Sequence, residues 1–383
     1  MSERKYTQES IKELQEKVKV IENYGIPILL KPSPGEEREG YLDPREAIYA
    51  FEKPGEEKNT DNKEDNTFVS LFGGENMPPL EVLLPIIREG MGFPNLNLNT
   101  VEMITEVETL KDSGNEIRLW RYYPRKTNKN LNRPAFLYIH GGAWIGGSVY
   151  TVENYCKLLA ELSGAVVFNV DYSLAPEKPF PNGFNDIYET AKHIHNHALE
   201  YGIDSSKIGI GGDSAGGNLT AAVCLKLRDE GEFKPALQVL IYPAVAIGDV
   251  SVKGYEWSED PYVIAPEQEK MIRGALILGR PSDIEKDPLL FTYVMEKKNI
   301  YLPYISPMLA ESHENLPRTL LFGAEFDGLR IQTEFYAKQL TDAGVKVTCY
   351  RYKGMTHAFL DRLGYVPQTE DLCIEVAKAL KEL

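Results

Sequence analysis

Apolar and polar positions along the chain follow two different periods. Ile11, Leu14, Val18 and Ile21 recur at helical spacing inside a charged segment, and Gly25 supplies a left-handed stop, so the pattern predicts an amphipathic N-terminal helix. Pro54 to Asn66 holds no large apolar residue and is dense in charge. It cannot bury enough surface to offset its ordering entropy, and is expected to be a mobile loop. From Met103 the period shortens to that of strands. Met103 to Leu110 and Ile117 to Tyr123 flank the turn-rich Lys111-Asp112-Ser113-Gly114-Asn115, the pattern of an antiparallel hairpin. Beyond it, short β-rich runs begin at Ala135, Ala165, Ile208, Leu237, Thr319 and Val345, separated by longer amphipathic segments. Alternation of this kind predicts an α/β fold with a mostly parallel central sheet and helices on both faces. The regularity breaks between Ala244 and Pro307, where Trp257, Tyr262, Met271, Tyr293 and Tyr301 stand among charged residues, as expected of an insertion over the sheet. No internal repeat is visible, which argues against a solenoid or propeller.

Composition narrows the function. The 383 residues carry 57 acidic against 42 basic side chains, a formal charge of -15, which disfavours nucleic acid and anionic membrane surfaces as partners. Apolar runs such as Ala165 to Val170 are far shorter than the roughly 18 residues of a membrane helix, so no stable membrane anchor is expected. Met1 to Tyr24 lacks the apolar stretch of a secretory signal. Cys156, Cys224, Cys349 and Cys373 are widely spaced, the usage of free buried thiols in a cytoplasmic protein.

The chemistry centres on Ile208 to Asn218, where a short apolar strand runs into Gly212-x-Ser214-x-Gly216 and then a helix-like segment. A sharp strand-to-helix turn of this kind aims a serine hydroxyl outward, with small residues on either side to avoid clashes. Serine is a weak nucleophile near neutral pH and needs an imidazole base oriented by a carboxylate. Of six histidines, only His357 follows the last strand of the sheet, at the carboxyl end where open α/β sheets gather their sites. Asp327 follows the preceding strand, with Glu325 as the alternative acid. The chain order Ser214, Asp327, His357 is the one this elbow arrangement requires. A further apolar strand enters His140-Gly141-Gly142-Ala143, whose N–H groups, with that of Ala215, would form an oxyanion hole. Trp144 and Phe359 flank these motifs and are candidates to line the substrate pocket, with plain packing an equal alternative. His193 and His197 could share one helical face, but no carboxylate or cysteine nearby completes a metal site, and the chemistry needs neither metal nor cofactor.

With three separated motifs in agreement, the chain from Met103 to Leu383 resembles the hormone-sensitive-lipase-like carboxylesterases of the α/β-hydrolase fold. The resemblance rests on His140-Gly-Gly-Ala-Trp, Asp171-Tyr-Ser-Leu-Ala-Pro-Glu-Lys-Pro-Phe-Pro181, Gly212-Asp-Ser-Ala-Gly-Gly-Asn218, Glu325-Phe-Asp-Gly-Leu-Arg330 and Thr356-His-Ala-Phe359. It implies nucleophile Ser214, acid Asp327, base His357, and oxyanion donors from Gly141, Gly142, Ala143 and Ala215. Two departures stand out: Ala143 where the family usually has a third glycine, and Gly328 where it has proline. The implied organisation is an N-terminal helical cap and extension over residues 1–102, then a catalytic domain over 103–383 with a cap insertion at about 244–307. The implied substrate is a small-molecule ester of short to medium acyl chain, and a homodimer is compatible with this reading. Amide or formamide hydrolysis would use the same triad. A non-catalytic small-molecule receptor on this scaffold, such as the plant gibberellin receptors, lacks the histidine that this chain retains.

Overall fold

The computed structural model describes residues 3–51, 79–111, 116–126, 132–258, 261–276 and 279–383. The strands are β1 (Lys19–Asn23), β2 (Ile26–Lys31), β3 (Met103–Leu110), β4 (Ile117–Pro124), β5 (Arg133–Ile139), β6 (Val166–Asp171), β7 (Ile203–Asp213), β8 (Leu237–Ile241), β9 (Arg318–Phe326) and β10 (Val347–Thr356). The helices are α1 (Gln8–Glu16), α2 (Pro44–Phe51), α3 (Leu80–Gly90), α4 (Glu153–Ser163), α5 (Asn182–Asn196), α6 (Ala198–Tyr201), α7 (Ala215–Asp229), α8 (Glu269–Ala275), α9 (Pro288–Val294), α10 (Arg330–Asp342) and α11 (Pro367–Lys381). Pro54 to Asn66 and the turn residues 112–115 lie outside the described residues.

Alternation within the central strands sets the layers. In β5, Ala135, Leu137 and Ile139 enter one hydrophobic core while Phe136 and Tyr138 enter another, because successive side chains of a strand leave by opposite faces. A strand apolar on both faces must be covered on both. One core gathers Ile187, Leu219, Val223 and Tyr336 from α5, α7 and α10, and the other gathers Leu158, Leu159, Leu372 and Val376 from α4 and α11. Between them the strands run in the order β1-β2-β10-β9-β8-β7-β5-β6-β4-β3. Every pairing from β2 to β6 is parallel. The hairpin β3–β4 joins one end antiparallel to β6, as its turn sequence predicts.

The N-terminal expectation needs correcting. The helix stops at Glu16, and Val18 to Ile21 belong to the approach to and start of β1. Tyr24 and Gly25 both have positive φ, +50° and +74°, and form the two-residue turn of a β1–β2 hairpin rather than a helix stop. Residues 1–102 are therefore not purely a helical extension, since β2 pairs in parallel with β10 and extends the sheet. Helical and strand periods coincide over so short an apolar run, and the β-rich Ile26 to Leu30 following a tight turn is what decides between them.

A buried cation fastens this added hairpin. Lys31 is 1% exposed, and its ammonium lies 2.9 Å from Asp371 and 2.8 Å from Glu375 on α11 while donating to the Leu14 carbonyl of α1 at 3.2 Å. At the opposite edge of the chemistry, the insertion leaves after β8 and returns before β9. Both ends meet at one side chain, for Asn218 donates its amide to the Ala244 and Ile305 carbonyls at 2.7 and 2.8 Å.

Replacing Lys31 by methionine leaves two carboxylates without their common partner. Loss of one member of a buried pair is expected to lower unfolding free energy by about 3 kcal/mol, read as a shift in denaturant midpoint at unchanged slope. A shift below about 1 kcal/mol would show that the hairpin is held by its backbone ladder alone.

Candidate active site

Register brings the chemistry together. Ile139 pairs with Gly212, Asp213 with Ile241, and Thr356 with Phe326, so β5, β7, β9 and β10 all end at one rim of the sheet. The next residues along β9 and β10 are Asp327 and His357. The next along β7 is Ser214, which holds φ +53° and ψ -116°, a strained backbone that exposes its hydroxyl at the start of α7. The glycines on either side permit it: a Cβ on Gly212 would stand 2.3 Å, and on Gly216 2.0 Å, from the Ile139 carbonyl oxygen.

Three side chains form a continuous hydrogen-bonded chain. His357 Nε2 lies 2.9 Å from Ser214 Oγ, and His357 Nδ1 lies 2.8 Å from Asp327 Oδ2. Asp327 is fully buried, and its other oxygen accepts the Leu329 N–H at 2.9 Å. Glu325 turns away, accepting the Gly354 N–H at 2.8 Å, which makes it a tie between β9 and β10. Burial alone would depress the His357 pKa, but the charge and hydrogen bond of Asp327, then the charges of Asp213 and Asp361, outweigh it and raise the value. The Tyr242 ring meets the imidazole edge-on at 4.8 Å.

The glycine loop after β5 divides its amides. Gly141 N–H donates to Asp213 Oδ1 at 3.0 Å, and Tyr138 donates its hydroxyl to the same oxygen at 2.8 Å. Gly141 is thus removed from the expected oxyanion set, because its donor is already engaged. Among the described residues no acceptor takes the N–H of Gly142, Ala143 or Ala215. Burial pushes the Asp213 carboxyl up to about 6, against the opposing bonds from Tyr138 and Gly141. Ala143 holds φ +52°, a left-handed conformation that suits glycine better than alanine.

The two candidate pocket residues are packing residues. Phe359 has no exposure and lies against Tyr242 and Tyr352, because it points into the core beneath the histidine loop. Trp144 is 3% exposed; its indole stacks on Tyr293 of α9 at 4.7 Å and donates to Asn218 at 3.3 Å, joining the glycine loop to the insertion. Asn218 was visible in the sequence only as the last residue of a motif. Tyr262 was equally silent: its hydroxyl donates to the Asp327 carbonyl at 2.7 Å, so the insertion also steadies the acid. Arg88 of α3 ties three strands of chain, donating to the Ile145 and Ala175 carbonyls at 2.5 and 3.0 Å and pairing with Glu177 at 2.7 Å. Glu177 is accordingly a structural tie. His193 and His197 stack on one another at 4.0 Å, with Tyr201 and a backbone carbonyl as partners. Among the described residues no group of three or more His, Cys, Asp or Glu could hold a metal.

A serine on a strand-to-helix elbow, bonded through an imidazole to a carboxylate at adjacent strand ends of a mostly parallel sheet, defines a hydrolase of the α/β class. A sequence model described as alpha/beta hydrolase fold matches residues 136–361. The chain belongs to this family, in its hormone-sensitive-lipase-like branch. An arylesterase of Saccharolobus solfataricus is 33% identical over 255 residues, covering 67% of this chain and 76% of that protein. The arylacetamide deacetylase of Oryctolagus cuniculus is 28% identical over 339 residues, covering 74% and 84%. Among solved structures, an esterase of Pyrobaculum calidifontis superposes with a TM-score of 0.63 at 32% identity, covering 79% of this chain and 89% of its own.

If His357 must be neutral to accept a proton, activity should fall as pH drops through its raised pKa. The acid limb of kcat/KM is expected above about 6.5, the ordinary imidazole value. Asp361 titrates at about 7, driven up by burial and by the Asp213 charge, so the limb will be a coupled one. Asp361→Asn removes a negative charge beside the imidazolium and should move the limb to lower pH; a limb at or below the ordinary value in the unmodified protein would contradict this electrostatic account.

Proposed function

We propose that this carboxylic ester hydrolase works through an acyl-enzyme formed on Ser214, with soluble esters of short to medium acyl chain as substrates. The observation that carries the proposal is the unbroken chain Asp327–His357–Ser214 at 2.8 and 2.9 Å. In the forward step Ser214 Oγ attacks the ester carbonyl while its proton passes to His357 Nε2. Asp327 orients the ring through Nδ1–H and stabilises the imidazolium. The carbonyl oxygen becomes an oxyanion facing the amides of Gly142, Ala143 and Ala215, which are fixed before the reaction begins. Collapse breaks the bond to the alcohol oxygen, which leaves with the proton from His357. Water then attacks the acyl carbon and gives its proton to the same nitrogen; collapse breaks the bond to Ser214 Oγ, which takes that proton back as the acid is released.

An aryl amide is the second reading, favoured by the similarity to an arylacetamide deacetylase. It requires the same proton to reach a poorer leaving group. The insertion clamped over the site by Trp144, Tyr262 and Asn218 supports compact substrates. Four free, buried cysteines support a cytoplasmic, reducing location.

Reaction with an organophosphonate should label Ser214 at one equivalent and abolish esterase activity, as mapped by peptide mass spectrometry. Asp327→Asn should lower kcat by about 10⁴ through loss of the correct tautomer, with KM little changed. Labelling at any other residue, or retention of activity by labelled protein, would refute the assignment.

Ala143→Gly tests whether the extra methyl narrows the space beside the scissile carbonyl and so disfavours bulky alcohols. It relieves a left-handed alanine at a cost of roughly 1 kcal/mol, so thermal stability should hold or rise. Removal of the methyl should widen the range of accepted alcohols in an ester panel. An unchanged profile would place the alcohol elsewhere.

A further inference from the structure

The histidine loop is held from outside its own strand. Thr356 ends β10 one residue before His357. Its N–H donates to Glu46 Oε1 at 3.0 Å, and its hydroxyl donates to the same oxygen. Glu46 belongs to α2, 310 residues earlier, and its side chain is fully buried with Arg362 Nη1 at 3.2 Å. One turn ahead of it, the Asp43 N–H donates to the Gly354 carbonyl at 3.0 Å, while the Asp43 carboxylate accepts from Ser33 at 3.0 Å and Gln368 at 2.9 Å. Residues 33–46 therefore form the outer wall of residues 354–357.

A buried carboxylate carries a desolvation penalty that an apolar side chain would avoid. What the acid provides is directional: one oxygen takes both donors of a single residue, and two bonds converging on one acceptor fix that residue more tightly than either alone. Immobilising both the amide and the hydroxyl of Thr356 fixes the backbone that enters His357. We propose that Glu46 is a positioning residue for His357, acting through Thr356 and holding the imidazole in register with Ser214 and Asp327. The N-terminal segment then serves the reaction without touching the substrate. The proposal rests on reading His357 as the base.

The test compares Glu46→Ala, which removes the acceptor, with Glu46→Gln, which keeps an oxygen for both donors. Displacement of a reacting group costs rate steeply, so Glu46→Ala is expected to lower kcat by about tenfold with KM within about twofold. Glu46→Gln should restore kcat to within about threefold. His357 faces Asp327, Asp213, Asp361 and the Tyr242 ring, and displacement of the ring weakens its contact with Asp327, the largest contribution that raises its pKa. The acid limb of kcat/KM should therefore move to lower pH in Glu46→Ala, a change that general loosening of the fold would not produce. Adding Thr356→Val to Glu46→Ala should cause no further loss, because both act through one contact. Folded Glu46→Ala protein with unchanged kcat, or a loss confined to KM, overturns the proposal. Should Glu46→Ala not fold, Thr356→Val alone decides, since it leaves the Glu46–Arg362 pair in place: kcat down about threefold or more at constant KM supports the proposal, and unchanged kcat overturns it. Failure of Ser214 to label in the unmodified protein would instead sink the reading of the triad, so the two failures are distinguishable.

Discussion

A fully buried carboxylate at the end of β9 imposes the strictest demand on this molecule. Asp327 has no exposure, so its charge must be met by fixed partners, and they are the Leu329 amide and the His357 ring. The ring can meet it because β9 and β10 run parallel and, after a register shift between Tyr352 and Thr356 on β10, pair Thr356 with Phe326, which sets the following residues side by side. A slip of one residue would turn every side chain of β10 to the other face. Pairing with β2 on the far side of β10 opposes such a slip by holding Cys349 to Tyr352 against Ile28 to Lys31.

Strand register aims the groups, but the loops that carry them need outside support, and each draws it from a distant part of the chain. The glycine loop is pinned below by Asp213 and above by Trp144 on Tyr293, with Arg88 at its far end. The acid loop is pinned by Tyr262 from the insertion, and the histidine loop by Glu46 from the N-terminal segment. Each bond is modest by itself. Their joint effect is that a reaction requiring sub-ångström placement is set by contacts spread over nearly the whole sequence.

Local signals were legible in the sequence where chemistry and conformation coincide within a few residues. Gly212-x-Ser214-x-Gly216 between a strand and a helix fixes the elbow because only small residues fit against Ile139. The order of Ser214, Asp327 and His357 follows from the order of the strand ends. Pairings across the chain left no such mark. That the Gly141 amide serves Asp213 could not be read from two motifs seen separately. Phe359 beside the histidine looked like a pocket wall because sequence adjacency says nothing about which way a side chain leaves a turn. The N-terminal hairpin hid inside an apolar spacing that suits either period, and the pairing of Glu46 with Thr356 has no sequence signature.

Exposure differs between the acid end of the relay and its other two members, and the proposed chemistry needs that difference. Asp327 is closed to solvent, the His357 side chain is 12% exposed, and Ser214 is partly open. Shielding at the carboxylate end raises the effective strength of the Asp327–His357 attraction, since Coulombic interaction grows as local polarisability falls. Opening at the serine end would, on the proposed mechanism, admit the ester and later the water that releases the acid. An equally buried serine would bar that water, whereas an exposed aspartate would let solvent screen the charge that stabilises the imidazolium. The Asp213 carboxyl, lodged under the glycine loop at the buried side of the ring, adds to the same field without competing for the Ser214 hydroxyl. Burial beneath the site and access above it are thus one property of the sheet rim, set by the point at which β7, β9 and β10 each stop.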